Sequence, residues 1–111
     1  MLQFLVDSVT DSGHVLGRND TLDIPVGAIF TRIAKQCVDG DRVDLQTIEI
    51  GDVATVSLRL TNVEWYQRNI DVVPGGHTAR LILTGFGIAT LSSLLAEKSE
   101  REYFSLVAGP D

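Results

Sequence analysis

The sequence predicts an all-β domain, and three observations carry that reading. Short segments of alternating apolar and polar residues, rich in Val, Ile, Leu and Thr, recur along the chain. Turn-forming clusters punctuate them: Asp11-Ser12-Gly13, Asn19-Asp20-Thr21, Asp39-Gly40-Asp41 and Pro74-Gly75-Gly76. Only one segment, 88–100, has helical spacing. Many short strands and a single helix indicate a barrel or a sandwich, and periodicity alone does not choose between them.

Taken in order, residues 2–10 (LQFLVDSVT) read as a first strand and 14–18 as a short second one. Ile24-Pro25-Val26-Gly27 reads as a turn, because Pro25 lacks the N–H that a central strand must donate. Residues 28–38 alternate with period two. Ile29, Thr31, Ile33 and Cys37 fall on one face, and Phe30, Arg32, Ala34 and Gln36 on the other. Asp39-Gly40-Asp41 is a tight turn, 42–50 a further strand, and Gly51-Asp52 another turn.

Residues 53–69 hold the longest strand signal. Val56, Leu58 and Leu60 share one parity, whereas Val63 and Trp65 take the other. Such a switch within one strand marks a β-bulge, placed at Thr61–Asn62. Residues 78–84 and 103–107 are the remaining strands. In the helix, Leu91, Leu94, Leu95 and Lys98 lie on one face, and the charges at its end are mixed. A membrane-surface helix needs a basic polar face, so this one is expected to lie on the protein. The expected core is Phe4, Val6, Ile29, Ile33, Val56, Leu58, Leu60, Leu81 and Leu83, joined by Trp65. Glu64 and Tyr66 then face outward.

The chain has 111 residues, which suits one domain spanning 1–111. Its hydrophobic content of 44% supports a packed core without metal or disulfide. One cysteine, Cys37, excludes an intramolecular disulfide and suits a reducing cytoplasm, where it reads as a packed thiol. The first residues have neither the basic start nor the apolar run of a secretory signal, and no stretch approaches the ~18 apolar residues of a membrane helix. Fifteen acidic residues against nine basic give a net charge of −6. Phosphate backbones call for the opposite balance, so nucleic acid is not the expected partner. An acidic surface instead favours a basic protein partner or plain solubility.

Nothing in the pattern builds a catalytic or cofactor site. Ser12-Gly13-His14 and His77 lack a nucleophile elbow, and the two histidines and one cysteine have no zinc spacing. Asp39, Asp41 and Asp44 around Gly40 are too short a pattern for a calcium loop and lack its closing Glu. Glu49 and Asp52 could form a carboxylate pair, but nothing places them in a cleft. The chain is therefore expected to be no enzyme and to need no cofactor.

The stretch VEWYQRNIDVVPGGHTARLILTGF at 63–86 is the most specific in the chain. With Val63-Glu64, Trp65-Tyr66, Asp71, Gly75-Gly76, Leu81-Ile82-Leu83 and Gly85, it resembles the second domain of elongation factor Tu and related translational GTPases. GRNDTLDIPVG at 17–27 and YFSLVAGPD at 103–111 resemble the same domain in the same order. The resemblance spans about residues 4 to 110. It implies a closed antiparallel β-barrel of six to seven strands with one short C-terminal helix. The chain has no G-x-x-x-x-G-K-[ST] phosphate loop and no room for a GTPase domain. What it resembles is the recognition half alone.

In elongation factor Tu this barrel helps hold the aminoacyl end of tRNA. Carried over residue by residue, the family's first-strand acid falls on Asp7 and its glutamate beneath the terminal base on Glu64. The histidine or aromatic beside the aminoacyl group falls on Tyr66. The family's first-strand aromatic becomes Val9, its basic contact Gln67, and its asparagine past the glycine turn Thr78. The lost basic contact and the acidic net charge point away from aminoacyl-tRNA or other RNA. Two functions remain. The first is a stand-alone binding module acting by protein–protein contact, with Asp7, Glu64, Tyr66 and Thr78 as its recognition patch. The second is a small acidic antagonist, such as an immunity-type protein masking a basic toxin.

Overall fold

A computed structural model of the chain describes residues 2–40 and 46–109. The strands are β1 (Gln3–Val9), β2 (Val15–Arg18), β3 (Ile24–Pro25), β4 (Ile29–Asp39), β5 (Gln46–Trp65), β6 (Arg68–Ile70), β7 (Val72–Val73), β8 (Thr78–Phe86) and β9 (Glu102–Ala108). One helix, α1 (Ile88–Glu97), lies between β8 and β9. All pairings are antiparallel. In the main sheet, β4, β9, β1, β2, β8 and β5 pair in that order, and β5 pairs back onto β4. The hydrogen bonds thus form a ring, with β6 attached to β5 outside it. Such a ring leaves few open edges to pair with other chains.

The interior is filled as the alternation predicts, with two exceptions, Ile29 and the half-buried Trp65. Phe4, Val6, Ile33, Val56, Leu58, Leu60 and Leu81 are buried, and Leu83 packs against them partly buried. Ile29, however, is 47% exposed, and its neighbour Phe30 is fully buried instead. The reason is a bulge. Phe30 pairs with Ala108 and Arg32 with Val107, so Thr31 is an extra residue against β9. The extra residue resets the parity, and Phe30 and Ile33 both point inward.

The bulge predicted at Thr61–Asn62 is present. Leu60 pairs with Leu83 and Asn62 with Ile82, leaving Thr61 unpaired. The Thr61 hydroxyl donates to the Ile82 carbonyl at 3.0 Å. Gly51-Asp52 is not a turn. Lys35 pairs with Gly51 and Ala34 with Asp52, so β5 runs through with local irregularities. The segment 53–69 is not one strand either. It ends at Trp65, reverses, and returns as β6, with Trp65 paired to Arg68. Ile24-Pro25 pairs with Val72-Val73 in a small two-stranded sheet, short enough to tolerate Pro25. Asp41 and Asp44 of the calcium-like cluster, and the start of the strand expected at 42–50, lie outside the described residues.

Two further features position the site. Asn19 is fully buried at the end of β2. Its Nδ2 donates to the carbonyls of Leu22 and Val73, both at 2.9 Å. Its Oδ1 accepts from the Thr21 amide and hydroxyl, also at 2.9 Å. Its backbone N–H donates to His77 O, and its carbonyl accepts from Gly76 N. One asparagine thus ties β2 to the β3–β7 sheet and to the Pro74–His77 turn. In that turn His77 N donates to Pro74 O, and Gly76 has φ +82 at the third position, as a type II turn requires. The helix buries Leu91 and packs on β1. Among the described residues no helix is long and apolar enough to cross a membrane.

A candidate binding cleft on the outer face

The outer faces of β1, β2, β8 and β5 meet in register. Ser8 pairs with Leu16, Leu16 with Arg80, and Arg80 with Glu64. Arg18 pairs with Thr78 one step along. Between Val6 and Ser8 the β1–β2 register shifts, and Asp7 is the extra residue. A bulge there re-aims the side chain and leaves Asp7 exposed on the outer face.

The β5–β6 hairpin supplies a wall. Its two-residue loop is Tyr66-Gln67, with φ +51 and +64. Positive φ at both positions is the type I′ geometry, which suits the strand twist but ordinarily takes Asn or Gly. Two bulky residues there carry a cost of ~1–2 kcal/mol each in the left-handed region. The result is a Tyr66 ring that is 78% exposed. Trp65 meets it edge-on, with ring centroids 4.6 Å apart, and meets His77 at 5.5 Å on another side. Trp65 is therefore not a core residue. It is half-buried, because the strand ends at it and the reversal takes its ring to the edge of the sheet.

Together these elements enclose a cleft of about 440 Å³. That is within the ~300–1,000 Å³ typical of ligand sites. Its floor is apolar, made by Leu5, Leu16 and Ala79. Gly17 belongs to the floor as well, and a Cβ built there would lie 2.0 Å from the Leu5 carbonyl oxygen. No side chain fits between β1 and β2 at that point. Trp65, Tyr66 and Glu64 form one wall, and Asp7 and Tyr103 the other. Arg18 and Thr78 close one end. All four residues of the expected patch, Asp7, Glu64, Tyr66 and Thr78, thus line a single cleft. Val9 does not; it borders a smaller depression between β1 and α1.

The charges in the cleft are unevenly satisfied. Arg18 is held by Asp20 at 2.9 Å. Lys98, outside the lining, sits over the Tyr103 ring at 5.4 Å and shares the smaller depression with Asp7. Among the described residues, no hydrogen bond or ion pair engages the carboxylate of Asp7 or of Glu64.

The other candidate groups stay apart. Glu49 accepts from Gln36 at 3.2 Å and Asp52 from Arg32 at 3.1 Å, so each carboxylate is bonded to β4. Cys37 is half-buried in β4. Among the described residues, the Nδ1 of His14 is buried without a partner, and no nucleophile or carboxylate is bonded to that ring. Among the described residues, no group of three His, Cys, Asp or Glu could hold a metal ion. Sequence reasoning missed three parts of the site: the bulge at Asp7, the hairpin at Tyr66-Gln67, and the contribution of Tyr103. No family model matches the chain, and no curated protein matches it. What the cleft does has to be read from its own chemistry.

Proposed function

We propose that this chain is a closed antiparallel β-barrel of the type found as the second domain of elongation factor Tu, and that it serves as a non-catalytic binding module. It contacts a protein partner through the outer cleft. The observation that carries this reading is the convergence of Asp7, Glu64, Tyr66 and Thr78 on one aromatic-walled cleft. Aromatic side chains offer large contact area at low entropic cost, and they recur as interface anchors. The strained Tyr66-Gln67 turn adds support, since backbone strain collects where a side chain must be presented. Net charge of −6 favours a basic partner, in the reducing compartment that a lone cysteine suits. The same charge supports a second reading, an acidic antagonist that masks a basic toxin; the cleft would then be its contact surface.

The test is partner retention. Wild-type protein and the Glu64→Ala/Tyr66→Ala double variant are used as baits at equal concentration, with melting temperatures measured in parallel. The expected result is a partner held by the wild type and lost by the variant, with folding unchanged. Equal retention by both baits would remove the cleft from the interface.

A further inference from the structure

The chemistry of the cleft identifies the kind of side chain it receives; this rests on the reading of the cleft as a protein-binding site. We propose that the cleft is a receptor for an arginine side chain of the partner. The guanidinium is held by Glu64 against the Trp65–Tyr66 wall, and its stem lies along the apolar floor.

Three observations converge. First, the acceptors are unmet. Glu64 and Asp7 have no partner in the chain among the described residues, while Arg18, the cation in the lining, is already held by Asp20. Arg80 stands beside Glu64 in register but forms no ion pair with it. Second, Glu64 and Tyr66 are two residues apart, and Trp65 closes edge-on behind Tyr66. A carboxylate next to an aromatic face suits a planar cation, which can stack while its edge donates two hydrogen bonds. Third, Leu5 and Leu16 give the floor an apolar track for a methylene stem.

Smaller cations fit less well. Asp7 and Glu64 stand on β1 and β5 with β2 and β8 between them, a path of three inter-strand steps of ~4.8 Å along the curved sheet. Among the described residues, no group of three His, Cys, Asp or Glu could hold a metal ion. An extended arginine suits such a separation, with its guanidinium at Glu64 and the N–H groups of its own backbone toward Asp7. Lysine fits less well, because its ammonium is strongly hydrated and has no face to stack.

The chain's single tryptophan, Trp65, lies in the wall, so its fluorescence reports occupancy of the cleft directly. The probes are N-acetyl-arginine methylamide, its citrulline and lysine counterparts, and adenosine monophosphate. The arginine probe is expected to shift Trp65 emission saturably in the millimolar range. Citrulline is isosteric but uncharged and should bind about tenfold more weakly, the scale of a charge-assisted hydrogen bond. Glu64→Gln should weaken the arginine probe by a similar factor with its melting temperature unchanged, and Asp7→Asn by less. Equal binding of citrulline, full binding by Glu64→Gln, or saturation by the nucleotide in place of arginine would each overturn the assignment. So would silence from every probe. In all these cases the wider reading is decided separately, by partner retention in the double variant.

Discussion

Asn19 is the residue whose replacement tests the fold most severely. It is fully buried, and its amide nitrogen donates to Leu22 O and Val73 O. Asn19→Asp keeps the size and the acceptor facing Thr21, but turns an oxygen toward two carbonyls 2.9 Å away. Two hydrogen bonds worth ~1 kcal/mol each are lost, and the buried Val73 carbonyl is left unpaired at ~1–3 kcal/mol. The loss is therefore about 3–5 kcal/mol, a large part of the ~5–15 kcal/mol that holds a domain together. Asn19→Ala should fall in the same range. The aspartate variant carries an extra signature. Burial beside carbonyl oxygens disfavours its charged form, so its folded pKa rises above the unfolded one. A group raised in this way loses stability as pH increases, because the unfolded chain releases the proton more readily. The deficit of Asn19→Asp should therefore grow as pH rises above about 4, where the unfolded carboxyl begins to release its proton, while that of Asn19→Ala stays level. Urea unfolding followed by circular dichroism measures both. An alanine variant within ~1 kcal/mol of wild type would refute the view that Asn19 ties the sheets together.

Two other expectations follow from single residues. Gln67→Gly relieves a positive φ without touching the aromatic wall, so it should raise the urea midpoint by the equivalent of ~1 kcal/mol while partner retention stays intact; a lowered midpoint would deny that the turn is strained. Glu102 is held below the ordinary glutamate pKa, chiefly by a hydrogen bond from Lys35 at 2.6 Å, with a second from the Ser99 amide. A depressed carboxylate stabilises the fold above its unfolded pKa, and that contribution is lost as pH falls through the folded value. Melting temperatures of Glu102→Gln should thus decline less below about pH 4.5 than those of wild type, and parallel acid limbs would contradict the pairing.

How much of the fold the sequence made legible depended on whether each irregularity left a mark in the apolar pattern. The bulge at Thr61 was legible because buried residues stand on both sides of it: Leu60 before and Val63 after. The bulge at Thr31 was not. Ile29, Phe30, Ile33 and Ala34 put apolar residues on both parities, so either face could have been the buried one. The bulge at Asp7 lies where β1 leaves the core. Ser8 and Val9 beyond it are only half-buried and carry no parity to compare. Asn19 reads as a turn residue because turns are where asparagine is common. Its partner Val73 lies 54 residues away, and no local pattern reports such a bond.

The site divides in the same way. Four of the side chains that line the cleft, Asp7, Glu64, Tyr66 and Thr78, were named through the resemblance, but the shape of the cleft was not legible. Tyr66-Gln67 carries none of the Gly, Asn or Asp that announces a two-residue hairpin, so the segment reads as continuous strand. The stability of its neighbours permits this. Val63 is buried and locked to Leu81 and Ile70, so the strands on either side hold the loop closed despite its cost. A glycine pair would make the same reversal without strain, but would leave the cleft without its outer aromatic ring. Gly17 shows the converse. There a side chain is missing because β2 presses against the Leu5 carbonyl, and the close approach sets the floor beneath Tyr66. One wall is kept at a cost to the backbone, and the floor by leaving out a side chain. Both departures from local preference fall on the same cleft, which is where a binding function would maintain them.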